Sequence, residues 1–273
     1  MSITTILLYC DDDADYPARS RVALDLARRY RAHLQVVSVE PDATHIPNVY
    51  GRTGYLGQEL ELARQRIRDA EQTLKNECAR DGIRCTWYWE EGAPLECLTR
   101  HSFHADLAVV SQTPANTIED VLFDYMPDHL AITGSCPVLI MPKDFTGEFG
   151  MNRPLVAWKN RREAALALRG AIPLLRNAER VRILSINPKS GEELLAESLV
   201  QWLESHNVMN TTFQVRAHED SKPYEIVLDC IAKHECDYLV MGGYSQSQIK
   251  EWILGGFTRS FLDKMPVPIL MGH

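Results

Sequence analysis

The chain has 273 residues, a formal charge of -8 and 45% hydrophobic residues, enough for one large domain or two of ordinary size, each with its own core. The acidic balance argues against a broad nucleic-acid footprint or attachment to an anionic membrane surface. Seven cysteines, an odd number with no C-x-x-C pair, point to reduced thiols and a cytoplasmic setting.

Met1 to Ile3 leads into an apolar run with no basic stretch before it, so no secretory leader is expected, and no segment approaches the length of a membrane span. Ile6 to Tyr9 reads as a strand, broken by Asp11, Asp12, Asp13 and Asp15. Val22, Ala23, Leu26, Ala27 and Tyr30 follow at helical spacing. Leu34 to Val39 is the next strand, stopped by Pro41. Residues 42–57 read as irregular, with Pro47, Gly51, Gly54 and Gly57. Leu60, Ala63, Ile67, Ala70, Leu74 and Cys78 then form one helical stripe. Cys85 to Trp89 is a strand, and Pro94 opens a helix at its first turn. A strand over 107–110, a helix over 115–132 and a strand over 138–141 complete the first half.

The second half runs the same course. Strands are expected near 155–158, 182–186, 212–216, 238–241 and 268–271, and helices near 162–176, 191–206, 223–234 and 247–264. Ala105 to Gln112 matches Cys236 to Gly243, and Cys136 to Met141 matches Val267 to Gly272. A repeat this long means two tandem domains, 1–143 and 153–273, joined by a linker over 144–152. The spacing of Pro41 and Pro188 exceeds that of Pro94 and Pro223 by the length of an insertion around 44–57 in the first copy. Alternating strands and helices predict an α/β fold with a parallel sheet covered on both faces.

In such a sheet, ligands bind past the carboxyl ends of strands, where the strand order reverses. The fourth strand of the second copy ends in Met241, Gly242, Gly243, Tyr244 and Ser245. Gly255, Gly256, Phe257 and Thr258 follow nine residues later, before an expected helix. Small residues there let loop and helix-start amides approach a phosphate. The first copy has no glycines at these positions. It reads Ser111, Gln112, Thr113 and Pro114, then Asp124, and Pro114 lacks an amide.

The spacing resembles the G-x2-G-x9-G-[S/T] signature of universal stress proteins, with serine at 245 and glycine at 256 departing from it. The likeness extends over nearly the whole chain and implies two Rossmann-like, adenine nucleotide alpha hydrolase-like domains. Each is then a five-stranded parallel sheet of order 3-2-1-4-5, and the last strands of the two pair antiparallel. The tandem chain becomes an intramolecular pseudo-dimer, with room for a homodimer and a protein partner.

The resemblance also implies an adenine nucleotide, ATP with Mg2+ or AMP. Met241, Gly242, Ser245, Gly255, Gly256 and Phe257 fall at contact positions, and Ile186 at an adenine-facing one. The acidic residue that closes the first strand is Asp11 in the first copy and Lys159 in the second. Lys159 accepts no hydrogen bond from adenine or ribose but adds charge for phosphates.

Three further patterns are weaker. Asp11, Asp13 and Asp15 open like a calcium loop, yet Tyr16 replaces the turn glycine and Val22 the closing glutamate. Cys97, His101 and His104 share a helix face without a fourth ligand nearby, so no metal is expected. G-x-S-x-G, G-x-x-x-x-G-K-[ST], G-x-G-x-x-G and H-x-G-H are all absent. These absences favour a non-catalytic binding module. The alternatives are a nucleotide-independent interaction scaffold and a weak ATPase or phosphotransferase.

Overall fold

The computed structural model describes residues 2–40, 53–112, 126–188, 195–216, 222–243 and 265–273. Ten strands form one sheet. The first half supplies β1 (Thr5–Tyr9), β2 (His33–Val39), β3 (Cys85–Glu90), β4 (Leu107–Ser111) and β5 (Val138–Met141). The second supplies β6 (Pro154–Trp158), β7 (Val181–Ile186), β8 (Thr211–Arg216), β9 (Tyr238–Gly242) and β10 (Ile269–Gly272). Their order is β3-β2-β1-β4-β5-β10-β9-β6-β7-β8. Each half is therefore the expected 3-2-1-4-5 parallel sheet. The halves join antiparallel through β5 and β10, with Leu139 opposite Leu270. Joining them there removes two edges that would otherwise invite association.

Strand side chains alternate between two apolar layers. Ile6 and Leu8 enter one and Leu7 and Tyr9 the other. The first layer is covered by α1 (Tyr16–Tyr30), α2 (Thr53–Asp81), α5 (Arg162–Leu175) and α6 (Leu195–Ser205). The second is covered by α3 (Pro94–Ser102), α4 (Met126–Thr133) and α7 (Pro223–His234). Both layers run through both halves. The Tyr30 hydroxyl of α1 also donates to the Pro173 carbonyl of α5 at 3.0 Å.

The duplication is visible in one repeated clamp. Asp106, just before β4, accepts from the amides of Thr4 and Thr5 at 2.7 and 2.9 Å. Asp237, just before β9, accepts from the amides of Asn152 and Arg153, both at 2.7 Å. Each carboxylate ties the start of the central strand to its neighbour. Burial works to raise the Asp106 pKa, but the hydrogen bonds from Thr4 and Thr5 outweigh it and hold the carboxyl below its ordinary value.

One boundary differs from the sequence reading. Helix α2 already begins at Thr53, inside the stretch expected to be irregular. Gly54 and Gly57 each cost a helix about 1 kcal/mol. A helix anchored by buried Ala63, Ile67, Leu74 and Cys78 propagates through them. Of the helix expected over 115–132, residues 115–125 lie outside the described residues, and the rest falls in the helix Met126–Thr133. The helix expected over 247–264 lies outside the described residues.

Candidate functional site

In each half the chain crosses to opposite sides of the central strand, so the crevice lies at the carboxyl ends of β1 and β4 and of β6 and β9. The two crevices are built differently.

In the first half, α1 carries Arg19 on the face that meets the sheet, and this side chain is only 1% exposed. Its Nε donates to the Tyr9 carbonyl at 2.9 Å and one terminal nitrogen to Ser111 Oγ at 2.9 Å. The other terminal nitrogen pairs with Asp11. One planar guanidinium thus ties the end of β1, the end of β4 and the following loop. Burial disfavours its charge, and the Asp11 carboxylate more than compensates, so the Arg19 pKa stands above its ordinary value. The phenol of Tyr9, at the same place, is pushed well up by burial and by Asp11.

Arg19 went unnoticed in the sequence reading. The signal was its place on the apolar stripe of α1, one turn before Val22 and Ala23. The rest of the acidic loop is also engaged. Asp12 pairs with Arg66 at 2.8 Å, the Asp11 carboxylate accepts from the Asp13 amide at 3.1 Å, and Asp15 accepts from the Asp144 amide at 2.9 Å. Two of the four aspartates of this loop, Asp11 and Asp12, are thus paired with arginines.

In the second half, the matching helix α5 turns alanines to the sheet: Ala164, Ala167 and Ala171 are buried, while Arg162 and Arg169 are exposed. Its backbone lies directly on β9 and β10. A Cβ added to Gly242 would stand 2.6 Å from the Ala164 nitrogen and 2.7 Å from the Glu163 carbonyl carbon. One added to Gly272 would stand 2.8 Å from the Ala167 Cα. Helix packing by itself therefore requires glycine at 242. The Gly243 amide is likewise engaged, donating to the Gly272 carbonyl at 2.7 Å.

Lys159, Ile186 and Gly242 stand at the ends of the neighbouring strands β6, β7 and β9. Met241 is buried between Ala157 and Met271 in the sheet register. Ile186 is half-buried and Lys159 exposed, in a tight turn closed by the Arg161 amide on the Lys159 carbonyl at 2.6 Å. Lys159, Arg161 and Arg162 form no ion pair among the described residues. The structure thus brings four of the expected site residues to one crevice. Ser245, Gly255, Gly256 and Phe257 lie outside the described residues.

The soft-metal set does not assemble. Cys97 is buried, with its thiol on the Glu91 carbonyl, and His101 stacks on Tyr88 and bonds Glu90 at 2.8 Å. Among the described residues no group of three or more His, Cys, Asp or Glu could hold a metal ion, and no helix is long and apolar enough to cross a membrane.

No protein-family model matches the sequence, and comparison with curated proteins gives no match. Solved structures do match. A universal stress protein from Archaeoglobus fulgidus superposes over 99% of this chain and 96% of its own, with a TM-score of 0.78 at 15% identity. The fold is that of the universal stress proteins. A putative universal stress protein from Pseudomonas aeruginosa covers 99% of this chain and 93% of its own, with a TM-score of 0.62 at 15% identity. The cytoplasmic domain of a prokaryotic cation chloride cotransporter also shares the fold, with a TM-score of 0.54 at 14% identity, over 99% of this chain and 96% of that one. At these identities the universal stress protein likeness establishes architecture and not activity.

Proposed function

We propose that the protein is a tandem universal stress protein that acts as a non-catalytic adenine-nucleotide sensor or adaptor in the cytoplasm. Its site lies in a C-terminal domain spanning 153–273. The observation that carries this reading is the contrast between the crevices. The first is occupied by the buried Arg19 ion pair, whereas the second holds Ile186, Met241 and a basic turn at Lys159 that has no ion pair among the described residues. Ile186 and Met241 offer an apolar wall for a base. Lys159, Arg161 and Arg162 supply charge for phosphates in place of a first-strand carboxylate. Ser245, Gly255, Gly256 and Phe257 complete the phosphate loop in this reading.

The nucleotide is ATP with Mg2+ or AMP, bound without turnover in this reading. Calorimetric titration of nucleotide-stripped protein is expected to give one site per chain for ATP or AMP. Lys159→Glu is expected to weaken ATP at least tenfold and AMP less, since the charge change acts on the phosphates. No heat at millimolar nucleotide would overturn the proposal.

A second reading, a nucleotide-independent interaction scaffold, is favoured by one observation. Gly242 and Gly243 are both accounted for by packing and by the sheet, without a ligand. Absence of any nucleotide released on denaturing freshly purified protein, together with silent calorimetry, would favour it.

A further inference from the structure

At the amino ends of the strands, opposite the crevices, the last turns of α1 and α2 border a cleft of about 540 Å³. Its walls include Arg28, Arg31 and His33 from one segment and Asp81, Ile83 and Arg84 from the other. Both helices end on left-handed residues, Arg31 at φ 53 and Gly82 at φ +67. The Ala32 amide donates to the Ala27 carbonyl at 3.0 Å and the Ile83 amide to the Cys78 carbonyl at 2.8 Å. These caps satisfy helix-end carbonyls that would otherwise turn negative charge toward the cleft. Arg28 is taken by Asp25 and Asp81. Arg31 and Arg84, both exposed, form no ion pair among the described residues. The second half uses the same place differently. Arg176, at the end of α5 as Arg31 is at the end of α1, donates from Nε to the His206 carbonyl just past α6, at 3.0 Å. No such bond runs from Arg31 among the described residues, and its guanidinium is left to the cleft.

We propose that this cleft binds a small phosphomonoester, with the phosphate held between Arg31 and Arg84. This goes beyond the nucleotide reading and is independent of it, since the cleft sits at the other end of the strands from Lys159 and Ile186. Two guanidiniums without a carboxylate partner match the charge of about −1.5 to −2 that a phosphomonoester carries at neutral pH. Their planar N–H forks bond phosphate oxygens in pairs. The volume falls within the roughly 300–1,000 Å³ of small-molecule sites, so an organic group fits beside the phosphate. Ala27, Ala32 and Ile83 give that group an apolar wall. No aromatic side chain other than His33 lines the cleft, so nothing there stacks a nucleotide base.

His33 gives the site a local reporter. It is half-buried in the wall, and its Nε2 bonds Thr86 Oγ1 at 2.8 Å. Burial, with the positive charge of Arg84 added, holds its pKa below the ordinary value. The other charged groups of the wall are Arg28, Arg31 and Asp81. A dianion beside Arg84 favours the imidazolium and so moves the His33 pKa upward.

The test uses the full chain with glycerol 3-phosphate as the probe. Calorimetry should show saturable binding, and the His33 imidazole, assigned in NMR spectra with His33→Gln, should titrate at higher pH when the probe is bound. The double variant Arg31→Asn/Arg84→Gln, in which asparagine keeps the left-handed turn, should weaken the probe at least about tenfold and leave ATP binding in the crevice unchanged. Malonate, a dianion without phosphate, should bind more weakly than the probe. No heat at millimolar probe, an unmoved His33, malonate bound as tightly, or undiminished binding in the double variant would overturn the proposal. Probe binding lost in Lys159→Glu but kept in the double variant would place the phosphate in the crevice and overturn it too. If ATP gives no heat while glycerol 3-phosphate shifts His33, the nucleotide reading fails and the cleft stands. The His33 titration in the unaltered chain decides the matter even if a variant fails to fold.

Discussion

The two halves share strand order, register and the aspartate clamp, yet they fill the same position under the sheet's carboxyl ends in opposite ways. In the first, α1 reaches the sheet through a long cationic side chain, and Arg19 satisfies Tyr9, Asp11 and Ser111 at once. In the second, α5 has no such arm and its backbone rests on Gly242 and Gly272. The difference teaches that a duplicated fold is held by its sheet and clamps, while helix-to-sheet distance is free to change. It also separates two reasons for a glycine. At Gly242 the packing of Ala164 and Glu163 requires it, whatever the crevice binds.

The sharpest way to break the comparison is to remove the arm. Arg19→Ala leaves the Asp11 carboxylate, the Tyr9 carbonyl and the Ser111 hydroxyl without their shared donor. It is expected to cost about 3–5 kcal/mol, read by urea unfolding. The exposed Arg169→Ala should change stability by less than about 1 kcal/mol, although its guanidinium lies 5.1 Å from the Trp202 ring. If the two variants were equally stable, Arg19 would not be the element that ties the end of β1 to the end of β4.

The converse substitution in the second half is Gly242→Ala. Its methyl meets backbone at 2.6 Å, so α5 must move, and a loss of about 1–3 kcal/mol is expected. Gly243→Ala meets nothing nearer than 3.5 Å and should cost no more than a few tenths. Equal losses at the two glycines would remove the packing account.

The clamps offer a smaller test of what the halves share. The Asp106 carboxyl has its folded pKa below the unfolded one, so its contribution is present above the unfolded value and is lost as pH falls through the folded value. Asp106→Asn should flatten the acid limb of the stability profile and leave the slope near neutral pH unchanged. An unaltered acid limb would show that the clamp does not titrate. A further modest effect is expected where α1 meets α5. Tyr30→Phe removes the hydrogen bond to the Pro173 carbonyl and should cost about 1 kcal/mol, visible as a modest shift in the urea midpoint.

Much of this was legible in residue order. Apolar strand runs of four to six residues, alternating with helical stripes, defined the α/β layers, and paired landmarks such as Asp106 and Asp237 disclosed the duplication. The strand order 3-2-1-4-5 and the β5 to β10 joint came through resemblance to the universal stress proteins, and the structure has both. The crevice was only partly legible. Lys159, Ile186, Met241 and Gly242 were named and do converge, but the duty of Gly242 as a seat for α5 was not visible from its spacing. Arg19 was hidden because an arginine in an amphipathic helix is ordinarily solvated. Its burial is made tolerable by Tyr9 and Asp11 at the end of β1 together with Ser111 from β4, which only the fold brings beside it.

Sequence by itself determined the elements, the two-fold repeat and the strand ends at which a ligand site would lie. These depend on local periodicity and on the order of segments, which a linear pattern records. Tertiary structure alone decided that Arg19 is buried at the ends of β1 and β4 and that α5 seats closely on β9 and β10. Those outcomes depend on side chains from separate segments sharing one volume, where an ångström of clearance or one buried charge outweighs any local preference.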